Sequence, residues 1–127
     1  MTTRAVSDRL AEGGAVVHIG SIAADNGVGA YGAAKAGLAS WNIDLAGELG
    51  PRDVTANVVS CGYIAGTEYF RDRLTDERRA WLVDNTFVKR AGTPADVAGV
   101  VHFLASPAAR HVTAQVVNVN GGAHPTR

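Results

Sequence analysis

The sequence has 127 residues, of which 46% are hydrophobic, and its 12 lysines and arginines balance its 12 aspartates and glutamates to give zero net charge. A chain of this length is compatible with one globular domain spanning residues 1–127, which buries roughly two-thirds of its unfolded surface. Because zero net charge gives no bulk field to attract nucleic acid or anionic lipid, and because the apolar runs are short, we expect no nucleic-acid partner and no membrane partner.

The cysteine and histidine content excludes two kinds of site. Cys61 is the single cysteine and cannot form an internal disulfide. Nothing resembles a secretory signal, so we expect a cytoplasmic location. The four histidines are scattered and have no cysteine or carboxylate at ligand spacing, and we therefore predict no metal site.

The N-terminal region predicts a helix followed by a strand. Apolar residues four apart in residues 2–11 favour a helix, and Glu-Gly-Gly at 12–14 is a stop signal. Residues 15–19 form an apolar run of strand length, typical of a strand covered on both faces in a parallel sheet. His18 lies inside this run, and we interpret it as a strand residue that contacts a neighbour rather than as a catalytic base.

The next segment, residues 21–38, reads S-I-A-A-D-N-G-V-G-A-Y-G-A-A-K-A-G-L and is the most informative of the chain. It begins with Ser21 at the end of the predicted strand and continues through a loop with two glycines. A helix predicted over residues 30–49 places Tyr31 and Lys35, four residues apart, on one face. Because a nearby cation favours a phenolate, this pair is suited to proton transfer, and the serine hydroxyl could hold a substrate oxygen beside it.

The middle of the chain completes a strand–helix–strand unit. Residues 54–59 are short and β-branched, which predicts a second strand parallel to the first. Residues 60–67 form the loop that leaves it. Since ligands of open parallel sheets gather outside the carboxyl ends of the strands, this loop and the loop after Ser21 should share one mouth.

Residues 68–88 are charged and rich in aromatic side chains. They are compatible with a mobile helical lid over a substrate, and equally with surface helices that pack through Phe70, Leu74 and Leu82. The sequence alone leaves these two interpretations open.

The C-terminal region predicts one more helix and one more strand. Thr93, Pro94 and Asp96 form a strong helix start, with a hydroxyl at the N-cap, proline at the first position and a carboxylate two residues later. Ser-Pro at 106–107 ends the helix, and residues 115–119 predict a third strand ahead of a glycine pair. The expected fold is therefore α/β, with about three parallel strands side by side and helices packed on them.

These segments together resemble the short-chain dehydrogenase/reductase family. The resemblance rests on A-V-V-H-I-G-S at 15–21, on Y-x-x-x-K-A-G-L at 31–38, on N-V-V-S-C-G-Y-I from Asn57, and on V-N-V-N-G-G from Val117. It spans nearly the whole chain and implies the C-terminal half of a Rossmann-like fold. The family's glycine-rich turn for the cofactor pyrophosphate, G-x-x-x-G-x-G, occurs nowhere in the sequence.

The resemblance implies a role for each residue of the motif. Tyr31 would donate a proton to a substrate carbonyl or remove one from an alcohol. Lys35 would tune the Tyr31 hydroxyl electrostatically and hydrogen-bond the nicotinamide ribose, and Ser21 would orient the reacting oxygen. The implied cofactor is NAD or NADP, with Tyr31 and Lys35 at its nicotinamide end. The resemblance also assigns three residues of the second loop to the nicotinamide and pyrophosphate: Gly62, Ile64 and Thr67.

The sequence departs from the family pattern at three points. Residues 22–30 form a loop between Ser21 and Tyr31 that is a few residues shorter than in many relatives. Cys61 replaces a proline in the family's turn, and we interpret it as a structural small residue because nothing adjacent would lower its pKa. The catalytic asparagine that the family carries on a preceding helix has no matching position.

Three functions follow from this pattern. The first is a ketoreductase-like oxidoreductase that reduces a small-molecule carbonyl with NAD(P)H and receives its pyrophosphate site from another chain. The second is a lyase or cyclase that keeps Tyr31 as a proton donor without the cofactor, and the third is a non-catalytic partner of a complete relative. The strand at residues 15–19 would be an unprotected sheet edge, so we expect a homodimer or a complex with a larger relative.

Overall fold

The computed structural model describes residues 2–70 and 73–126, which form a three-stranded parallel sheet with helices. The elements in chain order are α1 (Thr2–Val6), β1 (Ala15–Ser21), α2 (Gly29–Leu49), β2 (Thr55–Cys61), α3 (Asp76–Asp84), α4 (Pro94–Leu104) and β3 (Val116–Val119). The predicted α/β fold with three adjacent strands is confirmed. No helix in the described part of the chain is long and apolar enough to cross a membrane.

The sheet order is β1-β2-β3, and both strand pairs are parallel. The register pairs Ser21 with Cys61 and Cys61 with Val119, so the three carboxyl ends lie at one edge of the sheet. Six of the seven residues of β2 are buried because this strand has a neighbour on each side. Within the described residues, β1 is paired on one side only, and Ile19 is 48% exposed.

The helices α2 and α4 cover opposite faces of the sheet. Ala56 belongs to a core cluster with Leu45 and Leu49 of α2, whereas Val59 belongs to a second cluster with Leu104 of α4. Successive strand residues point to opposite faces, so residues 56 and 59 of β2 must face opposite ways. This sandwich of helix, sheet and helix explains why β2 is buried along nearly its whole length.

The N-terminal helix is shorter than predicted. Residues 2–11 were expected to be helical, but the α-helix ends at Val6, a single 3₁₀ turn follows over Ser7–Arg9, and Leu10 is extended. The Arg52 guanidinium donates hydrogen bonds to the carbonyls of Ser7 and Leu10. These bonds from Arg52 satisfy two carbonyls that would otherwise need partners within the helix. Further helical hydrogen bonds would therefore add little stability to this segment.

The helix start predicted at Thr93 is confirmed as a capping box. The Thr93 hydroxyl accepts a hydrogen bond from the Asp96 N–H at 3.3 Å, and the Asp96 carboxylate accepts one from the Thr93 N–H at 2.8 Å. Arg90 then binds both carboxylate oxygens, at 2.8 and 2.9 Å. The Arg90 guanidinium, followed by the Thr93 hydrogen bonds, holds the pKa of Asp96 well below its usual range.

The described residues of the segment at 68–88 contain one α-helix, α3, which covers Asp76–Asp84. The Thr75 hydroxyl caps it by accepting from the Arg78 N–H at 3.2 Å. Turns lie on either side of the helix, and residues 71–72 are outside the described residues. The aromatic side chains of the segment therefore lie mostly outside regular structure.

Candidate active site

Ser21 is the last residue of β1 and is held by the turn that follows it. Its Oγ accepts a hydrogen bond from the Ala23 N–H at 3.2 Å, which caps the 3₁₀ turn at Ile22–Ala24. This bond uses an oxygen lone pair and leaves the hydroxyl hydrogen available as a donor. The turn packs against the first turn of α2, where a Cβ on Gly32 would lie 2.4 Å from the Ala23 carbonyl oxygen. The absent side chain of Gly32 thus lets the Ser21 loop approach the helix that carries Tyr31.

Tyr31 and Lys35 project from the same side of α2, as their spacing predicts. The Lys35 Nζ lies 5.7 Å from the centroid of the Tyr31 ring and donates a hydrogen bond of 2.7 Å to the Ile19 carbonyl oxygen. That bond ties the ammonium to β1, two residues before Ser21. Tyr31 is 37% exposed, so its phenol can be reached from solvent. The structure therefore brings a hydroxyl, a phenol and an ammonium to the carboxyl edge of β1.

Cys61 lies on β2 opposite Ser21 in the parallel register. Burial raises the pKa of the Cys61 thiol, and the nearby Lys35 charge opposes this only in part. A thiol whose pKa is raised is a poor nucleophile at neutral pH. The geometry therefore favours the structural interpretation of Cys61, although it lies beside the site.

The residues that the resemblance assigned to the cofactor separate into two groups. Gly62 donates its N–H to the Val119 carbonyl at 3.0 Å, and a Cβ on it would lie 2.9 Å from the Asn120 Cα, so close packing alone requires glycine there. Ile64 and Thr67 instead line a shallow cleft, and the Thr67 hydroxyl donates to the Ile64 carbonyl at 3.2 Å. The other residues that line this cleft are Tyr63, Ala65, Gly66, Phe70, Leu74 and Arg79.

Tyr69 lies against Tyr31, a contact that sequence reasoning missed. The two ring centroids are 5.5 Å apart and the ring planes are tilted by 46°. Partial desolvation of its hydroxyl, followed by the neighbouring Tyr31 hydroxyl, raises the pKa of Tyr69. The aromatic content of residues 68–88 was the only signal in the sequence, and no periodicity pointed to this residue.

His18 is placed as a structural residue. Its ring packs against Trp41 of α2 with centroids 5.5 Å apart, and burial lowers its pKa so that the neutral form is favoured. Its Nε2 atom is buried without a hydrogen-bond partner in the described residues. No group of three or more histidine, cysteine or carboxylate side chains is placed to hold a metal ion in the part of the chain that is described.

Comparison with known families identifies the chain. The family model described as enoyl-(acyl carrier protein) reductase matches residues 1–124. Solved structures titled short-chain dehydrogenase/reductase match along 97% of the chain, including one from Serratia marcescens with a TM-score of 0.88 and 29% identity. The chain belongs to the short-chain dehydrogenase/reductase family. The resemblance and the Rossmann-like fold class inferred from the sequence are thereby confirmed.

Several curated relatives show what this family member is similar to. An uncharacterised oxidoreductase of Methylorubrum extorquens is 41% identical over 127 residues, covering 96% of this chain and 51% of the relative. A cyclohexanol dehydrogenase of a Rhodococcus species is 43% identical, covering 86% of this chain and 42% of the relative. A 3-oxoacyl-[acyl-carrier-protein] reductase of Mycobacterium tuberculosis is 42% identical, covering 86% and 44%.

The extent of these matches is itself informative. The chain spans about half the length of the curated relatives it matches. A solved structure titled as a blue fluorescent protein from a metagenomic library in complex with NADPH has a TM-score of 0.86 and 33% identity, and the chain covers 50% of it. The 127 residues thus correspond to one half of a short-chain dehydrogenase/reductase fold.

Proposed function

We propose that the chain carries the proton-transfer half of an NAD(P)H-dependent oxidoreductase that reduces a small-molecule carbonyl, and that residues 1–127 form a single partial Rossmann-like domain. The observation that carries this proposal is the convergence of Ser21, Tyr31 and Lys35 at the carboxyl edge of β1. This is the edge at which ligands of open parallel sheets bind. A phenol, an ammonium and a hydroxyl at that edge are the groups that a carbonyl reduction requires.

Each of the three residues has a role that follows from its contacts. Tyr31 is exposed enough to reach a substrate and supplies the proton that the carbonyl oxygen takes up. Lys35 keeps a positive charge near the Tyr31 ring, because its hydrogen bond to the Ile19 carbonyl fixes the ammonium in place. Ser21 donates its free hydroxyl hydrogen to the same substrate oxygen, and its bond from Ala23 limits the rotation of the side chain.

The residues present fit one end of a nicotinamide cofactor and not the other. Ile64 and Thr67 line a cleft on the loop that leaves β2, and Lys35 lies at the neighbouring strand end, so these residues would hold the nicotinamide side. NAD(P)H would supply the hydride when bound. The pyrophosphate end requires a glycine-rich turn at a helix N-terminus, and no such turn occurs in these 127 residues. We do not assign Gly62 a cofactor contact of its own, because its packing against Asn120 accounts for it.

The proposal therefore requires a complementing polypeptide for the cofactor site. In the part of the chain that the structure describes, β1 is paired on one side only, which supports this proposal because an unpaired apolar strand edge offers hydrogen-bonding groups to a neighbouring strand. The complement for the cofactor is the N-terminal half of a larger relative, because a second copy of this chain also lacks the glycine-rich turn. A second copy would pair with the same edge without completing the pyrophosphate site. Substrates are small molecules with a carbonyl group, or the corresponding alcohols in the reverse direction.

The test is turnover by the chain mixed with the N-terminal half of the Methylorubrum relative, followed by NADPH absorbance. Tyr31→Phe removes only the phenol hydroxyl and should lower kcat at least about a hundredfold, the usual size of a general acid contribution, while the far-ultraviolet circular dichroism stays unchanged. A folded Tyr31→Phe variant that retains near-normal kcat would show that Tyr31 is not the proton donor.

A further inference from the structure

A run of aromatic side chains leads from Tyr31 to the cleft beside β2. The Tyr69 ring lies 5.5 Å from the Tyr31 ring, the Phe70 ring lies 4.8 Å from the Tyr69 ring at 90°, and the Tyr63 ring lies 5.7 Å from the Phe70 ring at 71°. These are the offset and edge-to-face arrangements that aromatic pairs prefer. We call Tyr31, Tyr69, Phe70 and Tyr63 the aromatic run.

The aromatic run is not needed for the core of the fold. Neither core cluster includes any of its four rings, and Tyr69 is 57% exposed. An exposed group of large rings beside reactive side chains marks a surface on which a ligand packs. Phe70 and Tyr63 line the cleft that also contains Thr67, so the run connects the proton donor with the proposed nicotinamide side.

We propose that Tyr69 is a specificity-determining residue and that the site takes ketones bearing a flat or cyclic apolar group next to the carbonyl. In this arrangement the substrate ring packs on Tyr69 while its oxygen lies at the Tyr31 hydroxyl. The inference rests on the proposed carbonyl reduction and adds a substrate class to it.

The geometry favours a ring over a linear chain of similar size. Tyr69 contacts both Tyr31 and Phe70 and is still 57% exposed, so part of its ring remains accessible to a third ring. A flat ring makes many simultaneous carbon contacts with such a face, whereas a flexible chain makes fewer and loses rotational freedom on binding. Selectivity should therefore depend on the Tyr69 ring and not on its hydroxyl.

The first experiment compares 1-phenylethanone with butan-2-one in the complemented enzyme. Tyr69→Ala should lower the ratio of kcat/KM for 1-phenylethanone to that for butan-2-one about tenfold, mainly through KM, and Tyr69→Phe should keep the ratio within about twofold of the parent. Trp81→Ala is the matched control, because Trp81 is an exposed aromatic residue of the same segment whose ring packs on Arg78 at 4.1 Å, apart from the aromatic run. An unchanged ratio in Tyr69→Ala overturns the inference.

The second experiment does not depend on turnover. In the 127-residue chain with isotopically labelled tyrosine, added 1-phenylethanone should shift the ring resonances of Tyr69 and Tyr31, with smaller shifts for butan-2-one. Absence of any Tyr69 shift at saturating 1-phenylethanone overturns the inference.

The two experiments separate the inference from the proposed reaction. If no variant turns over but the Tyr69 resonances shift, the proposed reaction is wrong and the ring-binding surface stands. If Tyr31→Phe abolishes turnover while Tyr69→Ala keeps the parent substrate ratio, the reaction stands and the role of Tyr69 is overturned.

Discussion

Gly32 connects the fold to the candidate site, and replacing it tests that connection. Its ideal Cβ would lie 2.4 Å from the Ala23 carbonyl oxygen and 3.4 Å from the Ala23 carbonyl carbon. An ordinary carbon–oxygen contact is about 3.3–3.6 Å, so roughly 1 Å of movement is required. The Ala23 oxygen belongs to the backbone and the added Cβ is fixed to it, so no side-chain rotation can relieve the overlap between them. Gly32→Ala must therefore displace either the Ile22–Ala24 turn or the start of α2.

Two opposing terms determine the size of the effect. Alanine favours a helix over glycine by about 1 kcal/mol, whereas overpacking a tight contact costs about 1–3 kcal/mol. The two terms together predict that Gly32→Ala lowers the free energy of unfolding by up to about 2 kcal/mol. Gly37 on the same helix is the matched control, because its Cβ would meet nothing within 4 Å. Gly37→Ala should raise the free energy of unfolding by about 1 kcal/mol.

Urea denaturation followed by circular dichroism at 222 nm measures both changes. The expected result is a lower midpoint for Gly32→Ala and a higher midpoint for Gly37→Ala. The Ala23 N–H donates a hydrogen bond to the Ser21 hydroxyl, so displacing Ala23 would also displace Ser21. Gly32→Ala should therefore reduce turnover in the complemented enzyme. A Gly32→Ala variant as stable as Gly37→Ala would refute the close contact between the Ser21 loop and α2.

Three further predictions concern charge, pH and assembly. Lys35→Met should lower kcat, because it removes the charge beside Tyr31. Lys89→Met removes the other lysine, which also donates to a backbone carbonyl, and should leave kcat unchanged. Equal kcat values in the two variants would count against the role of Lys35. The pKa of Asp96 is depressed in the folded state, so its contribution to the free energy of unfolding is complete above its unfolded pKa near pH 4 and is lost as the pH falls through its folded pKa. The urea midpoints at pH 6 and pH 2 should therefore differ less in Asp96→Asn than in the parent. Equal differences in the two proteins would contradict this stabilising role. Ile19→Lys places a charge on the exposed β1 edge and should shift the sedimentation coefficient towards that of a monomer at low micromolar concentration, whereas a parent chain that sediments as a stable monomer would exclude pairing through this edge.

The elements that the sequence predicted well are those encoded by local patterns. The apolar run at residues 15–19 and the helix at residues 30–49 were located to within one or two residues, because apolar periodicity and glycine or proline stops act over a few neighbours. The shared face of Tyr31 and Lys35 is a consequence of a four-residue spacing and needs no tertiary information.

The features that the sequence could not supply depend on contacts between distant segments. Arg52 ends the N-terminal helix early from more than forty residues away, and nothing in residues 2–11 signals this. Tyr69 reaches Tyr31 through an irregular segment, whose path follows from packing and not from periodicity. The packing reason for Gly62 likewise appears only when the end of β3 is placed beside it.

Calorimetric titration with NADPH and NADH tests the central claim most directly, because the account places the proton-transfer half of the site in these 127 residues and the pyrophosphate half outside them. We predict weak or undetectable binding to the chain alone, since its residues hold only the nicotinamide side. Adding the N-terminal half of the Methylorubrum relative should produce saturable binding. Tight, stoichiometric binding of either dinucleotide to the isolated chain would contradict the account.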